Sequence, residues 1–493
     1  MKITLATLHC TRTFIPLSLL YLKAYLVERK GHRASDVEIL EYNRDSLPDD
    51  MVRDLAAGEP DVIGLSIYVW NVKTMMAVAA RVKARSPRTT IVAGGPEVGP
   101  LGMAVLAAHP CIDVVVKSEG EIPFADIVAC VQDGRGLGGV KGICFRRGEA
   151  VVENEDAPIL EDLNHLASPH LAGYIDPKDR VICIETQRGC VFRCNFCFYN
   201  KDLSIRNRRF DLDRVKGEIL FWLQQEVLEI YMMDPIFNLN AERAKEICRF
   251  VIAHNHRGVA FHAELWAEFV DEELARLLAE ANFQFLEIGL QTTDESALAT
   301  VERRLRVRKF TDGIEFMKRH KLKFELQLIY GLPGETPVTF RRSLNFAFAL
   351  DPHELVVFRL MILPGTELWR KAEAIQLEFD PEPPYFARSH FSMTPEDIAC
   401  GPKVIDAVGL LGNSRTIRFL CREPGVVFAD VVDAWIAWQE AHDATATLAE
   451  RARRFVADYC AANQIPAAFY AGFSALEFVA DAAPSYQTAA RAM

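Results

Sequence analysis

Three cysteines, Cys190, Cys194 and Cys197, follow one another at spacings of four and three residues. This grouping restricts the fold more than any other feature of the chain. Upstream, Val181-Ile182-Cys183-Ile184-Glu185-Thr186 reads as a strand, and Arg188-Gly189 as the turn that leaves it. The three thiols therefore stand on one loop at a strand end. Thiolates are soft ligands that suit iron–sulfur clusters or zinc. Three of them cap three corners of a cubane and leave the fourth iron open to a small molecule. On spacing alone, a zinc site and a set of buried free cysteines remain alternatives.

The sequence on both sides alternates strands with helices. Before the cysteine loop, strands are predicted at 3–7, 37–41, 61–67, 90–96 and 114–116, with helices at 17–28 and 74–85. That order implies a doubly wound parallel sheet over residues 1–137, with ligands beyond the carboxyl ends of its strands. Three loops then share one edge: Ser66 to Asn71, Gly94 to Glu97, and Glu119 to Glu121. By itself, Gly94-Gly95-Pro96 is better read as a plain turn. Residues 138–180 read as a linker holding a small hairpin that turns at Arg147-Gly148-Glu149.

From 181 to 385 the order is again strand and helix. Further strands fall at 227–234, 259–264, 285–290, 323–330 and 354–360, and helices at 212–225, 241–254 and 271–281. Polar residues gather at the strand ends, which supports a partial barrel open on one side, with its chemistry at that face. Residues 386–493 read as a helical cap. Thr394-Pro395-Glu396-Asp397 starts a helix that continues through 398–411, and further helices are predicted at 427–438, 447–461 and 473–480, with a tail at 481–493. Arg388, His390, Arg418 and Arg422 are either contacts for an anionic substrate or surface charges. Tyr330 and Arg359 are alternatives nearer the barrel mouth, and Tyr385 and Phe386 read as core or lid packing.

Cys190-x3-Cys194-x2-Cys197 followed by Phe198-Tyr199 resembles the signature loop of the radical S-adenosylmethionine (SAM) enzymes. Phe14 to Leu22, Gly94-Gly95-Pro96-Glu97 and Glu119-Gly120-Glu121 resemble the branch that also binds cobalamin. The resemblance implies an α/β chain with a doubly wound, Rossmann-like cobalamin domain, a partial (β/α)6 TIM-type barrel and a C-terminal helical domain. It implies a [4Fe-4S] cluster on Cys190, Cys194 and Cys197. SAM contacts would come from Tyr199, Asp234, Pro235, Glu264, Glu268, Gln291 and Gln327. Trp266 stands near the place where the family often carries an arginine.

For cobalamin the implied contacts are Ser66, Tyr68, Trp70, Asn71, Gly94, Gly95, Pro96, Glu97, Glu119, Gly120 and Glu121. The wider cobalamin pattern Asp-x-His-x-x-Gly does not occur in the sequence, so methylcobalamin without a histidine lower ligand is expected. His9 and His32 read as surface or turn histidines.

The activity implied is methylation of an unactivated carbon in a small molecule or natural-product intermediate. Cyclisation, ring contraction or rearrangement without net methyl transfer is the runner-up, and a noncatalytic metal-binding protein is a third class. An electron donor such as flavodoxin or ferredoxin is implied, and a peptide substrate stays open. A net charge of −11 opposes nonspecific binding to a nucleic-acid backbone. No run of eighteen apolar residues suggests a membrane span, and the 12 cysteines lack a secreted framework, so a reducing cytoplasm is expected.

Overall fold

The structure is a computed structural model and describes residues 1–10, 13–200, 207–442, 445–466 and 470. The predicted helix at 473–480 and the tail behind it lie outside the described residues.

The first sheet has seven strands in the order β2-β1-β3-β4-β5-β6-β7. They are β1 Ile3–Leu8, β2 Val37–Tyr42, β3 Val62–Ser66, β4 Thr90–Gly94, β5 Val114–Val116, β6 Ile143–Arg147 and β7 Ala150–Glu153. The first five run parallel, and every residue of β1, β3 and β5 is buried. Continuous apolar runs are what a parallel sheet covered on both faces requires. Two separate apolar clusters form those faces, one around Met51, Met75 and Leu106, the other around Leu19, Phe124 and Ile127. The hairpin predicted in the linker forms, and it closes the sheet edge with β6 antiparallel to β5 and β7 antiparallel to β6.

The second sheet has six parallel strands in the order β15-β14-β13-β12-β11-β8. They are β8 Val181–Ile184, β11 Glu229–Met232, β12 Ala260–Leu265, β13 Phe283–Gln291, β14 Phe324–Tyr330 and β15 Glu354–Arg359. Between β8 and β11, the short β9 Gln187–Arg188 pairs with β10 Arg208–Arg209. Beyond the barrel, β16 Glu378–Phe379 pairs with β17 Ala387–Ser389.

These barrel strands alternate rather than run apolar throughout. On β12 to β14, Ala263, Leu265, Leu286, Ile288, Leu326 and Leu328 are buried against the surrounding helices. The intervening residues His262, Glu264, Glu287, Glu325 and Gln327 line a hollow interior. Strand register sets Glu264, Glu287, Glu325 and Glu354 side by side on four neighbouring strands.

Helices Gly401–Leu411, Arg415–Leu420, Phe428–Ala441 and Leu448–Ala462 share one apolar cluster with the barrel. The predicted continuous helix through 398–411 is instead two, Pro395–Ala399 and Gly401–Leu411, with the junction at Cys400. Thr394 caps the first through a reciprocal pair of bonds with Asp397, as Thr394-Pro395 foreshadowed. Helices Pro48–Ala56 and Pro337–Ala349 were not predicted, although each carries proline in its first turn. No described helix is long and apolar enough to cross a membrane.

Candidate active site

A cavity of 1290 Å³ lies where the carboxyl ends of β1, β3, β4 and β5 meet the barrel interior. From the first sheet it is lined by Ser66, Tyr68, Trp70, Gly94, Gly95, Pro96, Glu119, Gly120 and Glu121. From the barrel come Glu185, Tyr199, Met233, Glu264, Glu287, Gln327 and Arg359. Both sets of strand ends therefore open into one chamber.

On the first-sheet side, Gly95 has a φ of +116°, and a Cβ there would run into the Ile67 carbonyl. The backbone thus comes as close to β3 as an amino acid permits. Tyr68 and Trp70 stack with centroids 4.3 Å apart at the cavity wall. Asn71 is buried outside the lining and secures this loop: its amide donates to Leu8 O and Ser66 O, and its Oδ1 accepts from Tyr68 N at 2.8 Å. Glu97 is likewise buried, accepting a bond from Tyr385 OH at 2.5 Å. Both were predicted as cobalamin contacts; the structure gives them to the loop and to the seam between the domains. His9, at the end of β1, lines the cavity with Nε2 3.0 Å from Glu41.

Glu119 and Glu121 face the cavity, yet they also bind the barrel domain. Arg188 Nη2 lies 2.7 Å from Glu121, its Nε 2.8 Å from Glu185, and its guanidinium 4.9 Å from the Tyr21 ring centroid. Arg208, next to it across the β9–β10 pair, donates to Glu119 and to Leu160 O. Sequence reasoning missed both arginines in this role; charge pairing over 67 to 89 residues leaves no local signal.

The cysteine loop is pinned from several directions. Phe192 stacks on Trp266 at 4.0 Å, Asn195 donates to Thr300 O at 2.7 Å, and Leu368 N donates to Asn195 O. Arg303 Nη1 lies 3.6 Å from Cys194 Sγ, and its guanidinium sits 4.3 Å over Trp266. Trp266, standing where the family often has arginine, thus supports a cation that arrives from a later turn. Burial, then the neighbouring thiols, raises the Cys190 pKa and pushes Cys197 up to about 12. Iron reverses that preference, because a coordinating thiol gives up its proton. Among the described residues, no three His, Cys, Asp or Glu side chains converge on a single-ion position. Three soft thiols on one loop are a donor set that an iron–sulfur cluster takes.

The predicted SAM contacts divide. Tyr199, Glu264 and Gln327 line the cavity. Glu264 is pushed up to about 8, first by burial and then by repulsion from Glu287 and Glu325. Glu287 is raised by burial too, while accepting from Tyr231 OH at 2.8 Å and Gln327 Nε2 at 3.2 Å. Gln291 ends β13 with a φ of +69°, and its Oε1 is buried without a partner. Strain of this kind persists where surrounding structure imposes it, but Gln291 lies outside the cavity lining.

Asp234 is buried outside the lining and accepts from Thr186 N, Thr186 Oγ1 and Gln187 N, joining β8 to β11. Its neighbour Pro235 is outside the lining as well, whereas Met233 forms part of it. Glu268 turns away to Arg306, with contacts of 2.9 and 2.5 Å.

Of the predicted substrate contacts, only Arg359 lines the cavity. Tyr330 packs edge-on against Phe340 and donates to Asp397 O at 2.8 Å, inside the helical layer. His390 is buried with Nε2 3.1 Å from Gly331 O, and Arg388 is exposed and held by Asp380. Arg418 pairs with Asp351 at 2.6 Å, and Arg422 stacks on Phe419 at 4.7 Å. Tyr385 is buried, as expected of packing, but Phe386 reaches the cavity.

Residues 3–128 match the family model for a B12 binding domain, and residues 184–347 match the model for the radical SAM superfamily. The cobalamin-dependent radical SAM methyltransferase TokK of Streptomyces tokunonensis is 29% identical over 377 residues, covering 71% of this chain and 54% of TokK. The 2-(S-pantetheinyl)-carbapenam-3-carboxylate methyltransferase of Streptantibioticus cattleyicolor is 29% identical over 346 residues, covering 65% of this chain and 50% of that one. The chain thus spans about half the length of these two relatives. In fold it is similar to the radical SAM methyltransferase TsrM of Kitasatospora setae, solved with cobalamin and a [4Fe-4S] cluster bound. The TM-score is 0.64 at 18% identity, covering 78% of each chain.

Proposed function

Because this chain belongs to the cobalamin-dependent radical SAM enzymes, we propose that it methylates an unactivated carbon of a small molecule or natural-product intermediate. One observation carries the reading: the strand ends of the B12-binding sheet and of the radical SAM barrel line a single cavity. A hydrogen-abstracting radical and a methyl donor can act on the same carbon only when both face one chamber. When bound, the cluster and SAM supply a 5′-deoxyadenosyl radical, and methylcobalamin supplies the methyl group.

The chain's own residues orient and enclose. Cys190, Cys194 and Cys197 would hold the cluster, with Arg303 donating toward the Cys194 sulfur. Tyr199, Glu264 and Gln327, which line the cavity, are the SAM contacts we assign, and Met233 adds its place in the wall. Asp234 acts one step back, fixing the β8 and β11 ends between which SAM would lie. For the corrinoid we assign Ser66, Tyr68, Trp70, Gly94, Gly95, Pro96 and Gly120. Of these, Tyr68 and Trp70 would offer the corrinoid a stacked aromatic wall. Glu119 and Glu121 tie the first domain to the barrel through Arg188 and Arg208, and would thereby hold the two proposed cofactor sites together. We place the reaction in a reducing cytoplasm with flavodoxin or ferredoxin as electron donor.

The test is anaerobic reconstitution with cobalamin, reductant and metabolites of the producing cell, using SAM labelled in its methyl group. A product heavier by one labelled methyl supports methylation. Turnover to a product of unchanged carbon count would move the assignment to cyclisation or rearrangement.

A further inference from the structure

Arg359 ends β15 and lines the cavity, and its electrostatic setting differs from that of the other arginine there. Arg188 meets Glu119, Glu121 and Glu185. Arg359 instead lies over the Phe386 ring at 4.2 Å, and Nη2 makes one long bond of 3.4 Å to Ala387 O. Its Nε is buried without a partner. The acidic residue that influences it most is Asp380, whose carboxylate is engaged by Arg388. Burial lowers its pKa, as expected for a cation removed from water without a close counter-ion.

The position is built. Leu360 O accepts from Ala387 N, and Met361 bridges to Phe386, so the aromatic support is clamped to the strand that carries the arginine. Tyr385, one residue before Phe386, reaches Glu97 on the first domain. Arg359 therefore stands at the seam where the two halves of the chamber meet. A planar guanidinium with unused donors, stacked on an aromatic, matches the two oxygens of a carboxylate or phosphate. Leaving such donors unpaired in a site is costly, which favours a ligand that completes them.

We propose that Arg359 is the specificity-determining contact of the substrate chamber and that the substrate carries an anionic carboxylate or phosphate there. This deepens the methylation reading by naming a substrate class, and it rests on the cavity being the substrate chamber. Two cofactors also bring such groups, namely the methionine carboxylate of SAM and the phosphate of the corrinoid, so the experiment separates the three sources.

The holoenzyme, reconstituted with cluster, corrinoid and SAM, is titrated with three fluorinated probes observed by 19F NMR. They are 4-(trifluoromethyl)benzoate, 4-(trifluoromethyl)phenylphosphonate and the uncharged 4-(trifluoromethyl)benzamide. At least one anion is expected to bind about tenfold or more tightly than the amide. That preference should vanish in Arg359→Gln and return in part in Arg359→Lys, with corrinoid content and SAM affinity unchanged. Equal binding of anions and amide by the unmodified protein overturns the proposal without any variant. Loss of corrinoid or weakened SAM binding in Arg359→Gln also overturns it, assigning the guanidinium to a cofactor instead. Because the readout is binding, it stands apart from the methyl-transfer assay: that assay can fail while the anion preference is still read.

Discussion

Arg188 and Glu121 meet at 2.7 Å, and through this contact the segment that leads into the cysteine loop touches the loop that follows β5. Arg188 is two residues from Cys190, and Glu121 opens the helix behind the proposed corrinoid loop. A partly buried guanidinium with three acidic neighbours ties the two domains at the point where their ligands would meet.

Arg188→Met is expected to destabilise the protein by about 3 kcal/mol, because it leaves Glu121 and Glu185 without their cation. Chemical denaturation of the cofactor-free chain measures this. Corrinoid retention should fall as well, and Arg188→Lys should recover part of both. Unchanged stability and corrinoid content would refute the linkage.

Cys194→Ala should abolish cluster binding and 5′-deoxyadenosine formation together, bringing cleavage to background. Iron and sulfide content and product chromatography report it. Cleavage retained at the normal rate would reject the cluster role of this loop.

Gly95→Ala is expected to cost at least about 2 kcal/mol, through a left-handed backbone and a collision with Ile67 O. Corrinoid affinity should drop while the cluster still assembles. Thermal melting with parallel metal and corrinoid assays separates those effects.

Glu335 carries a pH prediction. Burial pushes its carboxyl up to about 8, while Thr292 Oγ1 donates to it at 2.6 Å and its other oxygen has no partner. Its folded pKa lies above the unfolded value, so the folded chain keeps a proton that the unfolded chain releases. Its stabilising contribution is complete below about pH 4.5 and is lost as pH rises through about 8. Within that window the slope should approach about −1.4 kcal/mol per pH unit. Glu335→Gln mimics the protonated acid and should make the overall slope shallower by about 1.4 kcal/mol per pH unit, with Glu264 and the other raised carboxyls supplying the remainder, as denaturation midpoints across pH will show.

The cysteine loop and the strand–helix order were readable because each is local. A strand, a turn and three thiols declare themselves within one short stretch, Val181 to Cys197. Tyr330, read from the sequence as a substrate contact, could have been excluded by parity: on β14 it falls with Phe324, Leu326 and Leu328, which face outward, whereas Glu325 and Gln327 face in. Asn71, Glu97 and Asp234 were harder. A polar residue on a strand-end loop looks the same whether it meets a ligand or bonds within the protein; Asn71 and Asp234 bond backbone groups, and Glu97 accepts from the Tyr385 hydroxyl. Arg303 was out of reach, since its approach to Cys194 spans 109 residues.

The alternating barrel strands have one more implication. Residues that hold the scaffold together and residues that meet the guest occupy opposite parities of the same strands, so selection can rewrite one set while sparing the other. A new substrate preference can then arise by single substitutions at inward positions, with little damage to the folding energy stored in the outward ones.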